Sequence, residues 1–112
     1  LINQMCYFYK IPWIDGGIRE FVGTLSVFLP PHPPCYACMY NRSYKRPDGP
    51  IPLMGALPGV IGCMQAMEAI KLILRLGKLI TGRRLVYDAL AGRWDEYFSI
   101  PDPACTVCGG ER

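Results

Sequence analysis

Apolar and polar positions in this chain follow two different periods, and the change from one to the other falls near Pro58. Before that point the runs IPWIDGG and TLSVFLP are short and rich in β-branched and aromatic residues, the composition of strands. A tight turn around Gly16 and Gly17 is expected to separate them. The preceding LINQMCYFYK is a helix-like apolar run, so residues 1–9 read as the end of a helix. From Pro58 the period becomes helical to about Leu76, with Gly77 placed as the stop. Gln65, Glu68, Lys71 and Arg75 recur every three or four positions there, which makes one narrow polar stripe on an otherwise apolar cylinder. Such a helix is expected to be buried on most sides, with a sheet against one face and further protein against another. RRLVYDAL and RWDEYFSI then read as a β-hairpin joined at Ala91 and Gly92.

Two segments interrupt these periods. Four prolines in the five residues 30–34 forbid regular structure and present CYAC on a rigid extended lead. Residues 39–52, MYNRSYKRPDGPIP, contain few apolar side chains, three prolines and the cationic cluster Arg42, Lys45 and Arg46. They read as an exposed loop of the long, functional kind. The whole is therefore an α/β chain of mixed or antiparallel strands packed on a long buried helix.

Composition narrows the function classes. At 112 residues, 51% hydrophobic and 12% aromatic against 19% charged, the chain is too apolar for disorder and long enough for one domain. Its 12 Lys and Arg against 9 Asp and Glu leave +3, scattered along the sequence, so nucleic-acid binding is not expected. A bilayer span over residues 56–76 would bury Glu68, Lys71 and Arg75, so none is expected. The chain opens on Leu1, in an apolar run with no basic leader, and reads as an excised portion of a longer product. Without an export signal, a reducing, cytoplasmic setting is expected.

The cysteines carry the chemistry. Cys35 and Cys38, with Cys105 and Cys108, form two Cys-x-x-Cys knuckles, the four soft ligands that tetrahedral zinc takes at about 2.3 Å. The knuckles lie 66 residues apart, so the metal is a long-range clip and not the centre of a small finger. Four thiolates fill the coordination sphere, which makes the site structural. Disulfides, a rubredoxin-like iron centre and a thioredoxin-like redox pair are the competing readings. His32 precedes a tetrad that is already complete and reads as a solvated loop residue. Cys6, Cys63, Met64 and Met67 read as core.

The order helix, IPWIDGG, G-x-L-S-V-F, CYAC, GALPGVIGCMQAMEAIKLIL, GRRLVYDAL, CTVCG resembles the C-terminal half of the MoeB/ThiF/HesA family, relatives of the ubiquitin-activating enzymes. The resemblance covers nearly all 112 residues, and its most specific part is LPGVIGCMQAMEAIKLIL followed by a strand ending YDAL. It implies a parent enzyme that uses ATP and Mg2+ to adenylate the C-terminal Gly-Gly of a ubiquitin-like sulfur-carrier protein, in molybdopterin, thiamine or related sulfur transfer. It also implies a homo-oligomer, usually a dimer. The family's nucleotide loop and catalytic groups lie upstream of Leu1, so no catalytic or nucleotide-binding residue is assigned here. Consistent with that, neither G-x-G-x-x-G nor G-x-x-x-x-G-K-[ST] occurs. Residues 1–112 would then be the single C-terminal region, with 39–52 as its crossover loop over the carrier tail. Arg42, Lys45 and Arg46 would pair with an acidic carrier, and Gly16, Gly17 and Gly23 would allow close backbone approach. Solvated loop charges and turn chemistry explain the same residues. Asp48 occupies the place where thioester-forming members keep a cysteine, and no cysteine lies between Cys38 and Cys63, which implies a parent that stops at the adenylate. The other function class is a non-catalytic, zinc-bound scaffold or adaptor.

Overall fold

The computed structural model describes residues 1–40, 48–50 and 52–109. The chain starts with helix α1 (Ile2–Tyr9), which a left-handed Lys10 ends, and enters the strands β1 (Trp13–Arg19) and β2 (Val22–Phe28). A short helix α2 (Tyr36–Met39) carries the first knuckle. Helix α3 (Leu57–Leu74) and the hairpin of β3 (Arg83–Asp88) and β4 (Arg93–Phe98) follow. The sheet runs β1-β2-β3-β4 and every ladder is antiparallel; the parallel contacts are two isolated bridges, Glu20 to Leu53 and Val27 to Thr81. All of α2, the long loop and α3 are thus an insertion between β2 and β3.

The first hairpin turns where no turn residue announces it. Arg19 pairs with Val22, so the bend is Glu20 and Phe21, with Glu20 at a left-handed φ of 53°. Gly16 and Gly17 instead lie inside β1, opposite Leu25 and Thr24, which corrects the expected turn. Glu20 can hold that geometry because its backbone is clamped: its N–H donates to Pro52 at 2.9 Å and its carbonyl accepts from Met54 at 3.1 Å. The second hairpin bends over residues 89–92 as expected, with the Asp88 carboxylate accepting from the N–H groups of Leu90 and Ala91 and Gly92 at φ 63°.

Side chains alternate across the sheet. Gly16, Gly23, Leu25 and Val27 face α3, while Trp13, Asp15, Gly17, Thr24, Ser26, Phe28, Arg84 and Tyr97 share the other face. Helix and sheet meet closely because two residues lack a Cβ. A Cβ on Gly23 would stand 2.6 Å from Ile61, and one on Gly16 would stand 2.5 Å from the Gln65 side chain. Leu25, Val27 and Ile80 form the core there, with Ile14, Leu29, Met64, Leu79 and Leu85 packed around them.

The polar stripe of α3 is inverted relative to the simple amphipathic reading. Gln65 and Glu68 point inward: Gln65 donates to the Ile14 carbonyl at 3.3 Å, and Glu68 accepts from the Ile80 N–H at 3.3 Å and from Lys71 at 2.7 Å. Lys71 also donates to the Lys78 carbonyl at 2.6 Å, so three side chains of the stripe bind β1 and the strap after the helix. Only Leu57, Ile61 and Glu68 of α3 are buried. Val60, Met67, Ile70, Ile73 and Leu74 are between 40% and 76% exposed, and Cys63 is exposed as well, so the expectation of core positions for Met67 and Cys63 is corrected. By length and composition α3 could cross a membrane, with mean hydropathy 1.4, but the inward Gln65 and Glu68 bonds hold it on the sheet. It ends at Leu74, two residues short of the expected Leu76, with Arg75 left-handed at φ 55°.

Candidate metal centre

Each knuckle is a tight turn built by backbone hydrogen bonds. Cys35 caps α2 in an extended conformation, and its carbonyl accepts from Cys38 at 3.1 Å and Met39 at 3.3 Å, which swings both thiols to one side. In the second knuckle the Asp102 carbonyl accepts from the Cys105 N–H at 3.0 Å and the Cys105 carbonyl from Gly109 at 3.0 Å. Gly109 has to be glycine there, because a Cβ would stand 2.6 Å from the Pro103 carbonyl oxygen, a backbone atom with no freedom to retreat.

These turns bring together the four cysteines singled out in the sequence. Their Sγ atoms all lie within 4.8 Å of one another, with Cys35 to Cys38 at 4.0 Å, Cys35 to Cys105 at 3.6 Å and Cys38 to Cys108 at 3.3 Å. Four sulfurs at about 2.3 Å from a central ion would be spaced by about 3.8 Å, so the cluster has the size of a tetrahedral thiolate site. It does not have the size of a disulfide, whose sulfurs sit at about 2.05 Å, and all six cysteines are free. Among the described residues this is the one group of three or more such ligands; His32 is exposed and outside it.

Burial pushes the Cys35 and Cys108 thiols up. Burial also raises Cys105, but the N–H groups of Cys108 and Val107 outweigh it and bring that thiol down to about 7. Thiolates crowded in a half-dry site need a cation to be stable together, which is the service a divalent metal supplies. Tyr7 packs on Cys35 and Cys108 with Ala37 and Val107 around them, forming a second small core.

One contact to this centre was not legible in the sequence. Asn3 of α1 places its Nδ2 3.6 Å from the Cys35 sulfur, while its Oδ1 accepts from the Tyr36 N–H at 3.2 Å. A lone asparagine in an apolar run gives no spacing signal that would link it to cysteines 32 or more residues away.

The carrier-side expectations divide. Arg42, Lys45 and Arg46 lie outside the described residues. Gly16 and Gly23 make room for α3, whereas Gly17 sits on the opposite face beside Thr24. That face carries an aromatic band: Trp13 stacks on Phe28 with centroids 4.9 Å apart, Tyr36 and Tyr40 continue it, and the Arg84 guanidinium lies 5.2 Å from the Tyr40 ring and 5.5 Å from that of Tyr97.

Comparison with known proteins places the chain. Residues 1–107 match the ThiF family. A SAMP-activating enzyme of Haloferax volcanii is 37% identical over 97% of this chain, and a molybdopterin-synthase adenylyltransferase of Salmonella typhimurium is 35% identical over 96%. A sulfur carrier protein adenylyltransferase of Thermus thermophilus is 34% identical over 99%. The chain spans less than half the length of these relatives, 42%, 45% and 44% respectively. In fold it is similar to E. coli MccB, with a TM-score of 0.82 at 18% identity, covering 96% of this chain and 35% of that one. With the family matched over nearly the whole chain and relatives above 30% identity over almost all of it, this protein belongs to the ThiF family.

Proposed function

We propose that this chain is the C-terminal part of an ATP-dependent adenylyltransferase that activates the C-terminal glycine of a ubiquitin-like sulfur-carrier protein, in sulfur transfer of the molybdopterin or thiamine type and in the cytoplasm. The observation that carries this reading is the unbroken match to the ThiF family, joined to relatives whose names specify adenylyltransferases of a sulfur carrier and of molybdopterin synthase. ATP and Mg2+ are taken by the nucleotide-binding part, whose phosphate loop has no counterpart in these 112 residues.

Two roles fall to the residues present. Cys35, Cys38, Cys105 and Cys108 hold a structural Zn2+, supported by the sulfur spacing and the all-thiolate donor set. The face bearing Gly17, Arg84 and the aromatic band receives the carrier's extended tail. What supports that placement is the aromatic band itself, with the Arg84 guanidinium over the Tyr40 ring on this face, while the Pro52 carbonyl accepts from the Glu20 N–H at the far end of β1. By sequence, Arg42, Lys45 and Arg46, which lie outside the described residues, suit an acidic carrier.

Metal analysis of reduced protein is expected to give one zinc per chain, and a value near zero overturns the zinc role. The enzymatic reading is tested by carrier-dependent exchange of pyrophosphate into ATP. Exchange is expected only when the chain is joined to a nucleotide-binding half, and robust exchange by the 112 residues alone overturns the division of labour.

A further inference from the structure

We infer that Asn3 is a positioning residue of the metal centre, donating a hydrogen bond to the Cys35 sulfur from outside the tetrad and thereby coupling helix α1 to metal affinity. The inference rests on the reading of the four cysteines as a metal site. Its basis is the orientation of one amide. The Tyr36 N–H can only donate, so the atom of Asn3 facing it at 3.2 Å must be the carbonyl Oδ1, and this fixes the amino group toward Cys35 at 3.6 Å. Neither contact would survive an amide flip, so both bonds define the same rotamer.

Four thiolates around a 2+ ion carry a net charge of −2, and an N–H aimed at a sulfur spreads that charge. Asn3 also bridges the ligand to the next residue of its own turn, holding Cys35 at the angle the tetrad needs. Tyr7 lies one helical turn further along the same face of α1, the sole buried residue of that helix, packed on Cys35 and Cys108 with its hydroxyl donating to the Pro31 carbonyl at 3.2 Å. Elsewhere on α1, Ile2, Met5, Phe8 and Tyr9 are exposed and Cys6 is half-buried. The described contacts of α1 therefore run to the knuckle and its proline lead, and docking of α1 and binding of metal reinforce each other.

The test is zinc affinity of the whole chain by competition with a chromophoric chelator, in Asn3→Asp, Asn3→Ala and, as a control at a neighbouring exposed position, Gln4→Ala. Asn3→Asp keeps the shape and the acceptor for Tyr36 but turns a second oxygen toward a thiolate. Asp adds its own charge against the −2 cluster whichever role holds, so its loss reports only that the side chain faces the sulfur, and it is the charge-transfer band of the Co2+-loaded protein that separates donation from packing. Losses of about 10-fold for Ala and more for Asp are expected, with Gln4→Ala unchanged. In Co2+-loaded protein, loss of the N–H bond should also move the sulfur-to-metal charge-transfer band to lower energy, a readout that helix stability does not move. Asp binding as tightly as Ala or more so, an unmoved band, or all variants within twofold of the parent, overturns the assignment. Failure of the parent chain itself to bind zinc overturns the metal reading and this inference with it.

Discussion

Cys38 and Cys105 stand 67 residues apart in sequence, yet belong to one sulfur cluster, and this decides how much each is worth. By analogy with a covalent cross-link, closing a loop of this length stabilises by about 4 kcal/mol. Cys38→Ser or Cys105→Ser is therefore expected to remove most of that in denaturant unfolding with zinc present, while Cys6→Ser, half-buried and outside the cluster, costs about 1 kcal/mol. Equal effects at all three positions count against the metal clip. A second residue with a sign to check is Asp15, whose carboxyl burial raises above 3.8. Its protonated form is favoured in the folded state, so stability falls as pH rises from 3.8 through the raised value and stays lower above it. Asp15→Asn is accordingly expected to be more stable than the parent at pH 7, with the difference closing below about pH 4 in urea titrations; the opposite sign at pH 7 would reveal a partner for the carboxylate. The cysteine spacing was legible in the sequence because two ligands on a tight turn leave a fixed signature. Gly109 and Asn3 were not, since their reasons lie in a carbonyl six residues back and a sulfur 32 residues on.

At the scale of elements, the glycines under α3 separate two kinds of tight contact. Gly23 faces Ile61, which is 2% exposed and locked beside Leu57, so Gly23→Ala is expected to cost about 1–3 kcal/mol. Gly16 faces the far end of a glutamine that can swing aside, and Gly16→Ala should stay within about 1 kcal/mol of the parent because the lost backbone freedom of the unfolded chain offsets part of the displacement. Chemical denaturation of the pair checks the order, and a larger loss at Gly16 would mean that Gln65 is anchored more firmly than its single bond to Ile14 implies. The helix and the second hairpin were readable from periodicity and from Gly92. The first turn was not, because a glycine pair signals a bend and a helix contact equally well, and the true bend at Glu20 is held by Pro52 and Met54 from a distant segment. The orientation of α3 was hidden for a related reason. On a cylinder apolar almost all round, the polar stripe goes wherever backbone groups need partners, here Ile14 and Ile80, and not automatically to water.

For the molecule as a whole, one sheet and one helix layer give extents of 40 × 37 × 22 Å, with α3 covered on a single side. The open side, Val60, Met67, Ile70, Ile73 and Leu74, is a contiguous apolar surface of the kind that drives association. The chain is expected to be a dimer or larger at micromolar concentration by light scattering, and Met67→Glu with Ile73→Glu to shift it toward a monomer. A strictly monomeric parent that binds no apolar dye would contradict this. The sheet beneath has two edges that differ in kind. Along β4, Arg93 pairs with Asp95 at 2.9 Å and Glu96 reaches Arg83, so charge lines that edge. Along β1, the middle of the strand is Gly16 and Gly17, whose main-chain groups no side chain of their own can shield. Charged edges turn away an incoming strand, and bare ones admit it. A segment that lengthens this sheet is therefore expected to join at β1 and not along the charged β4.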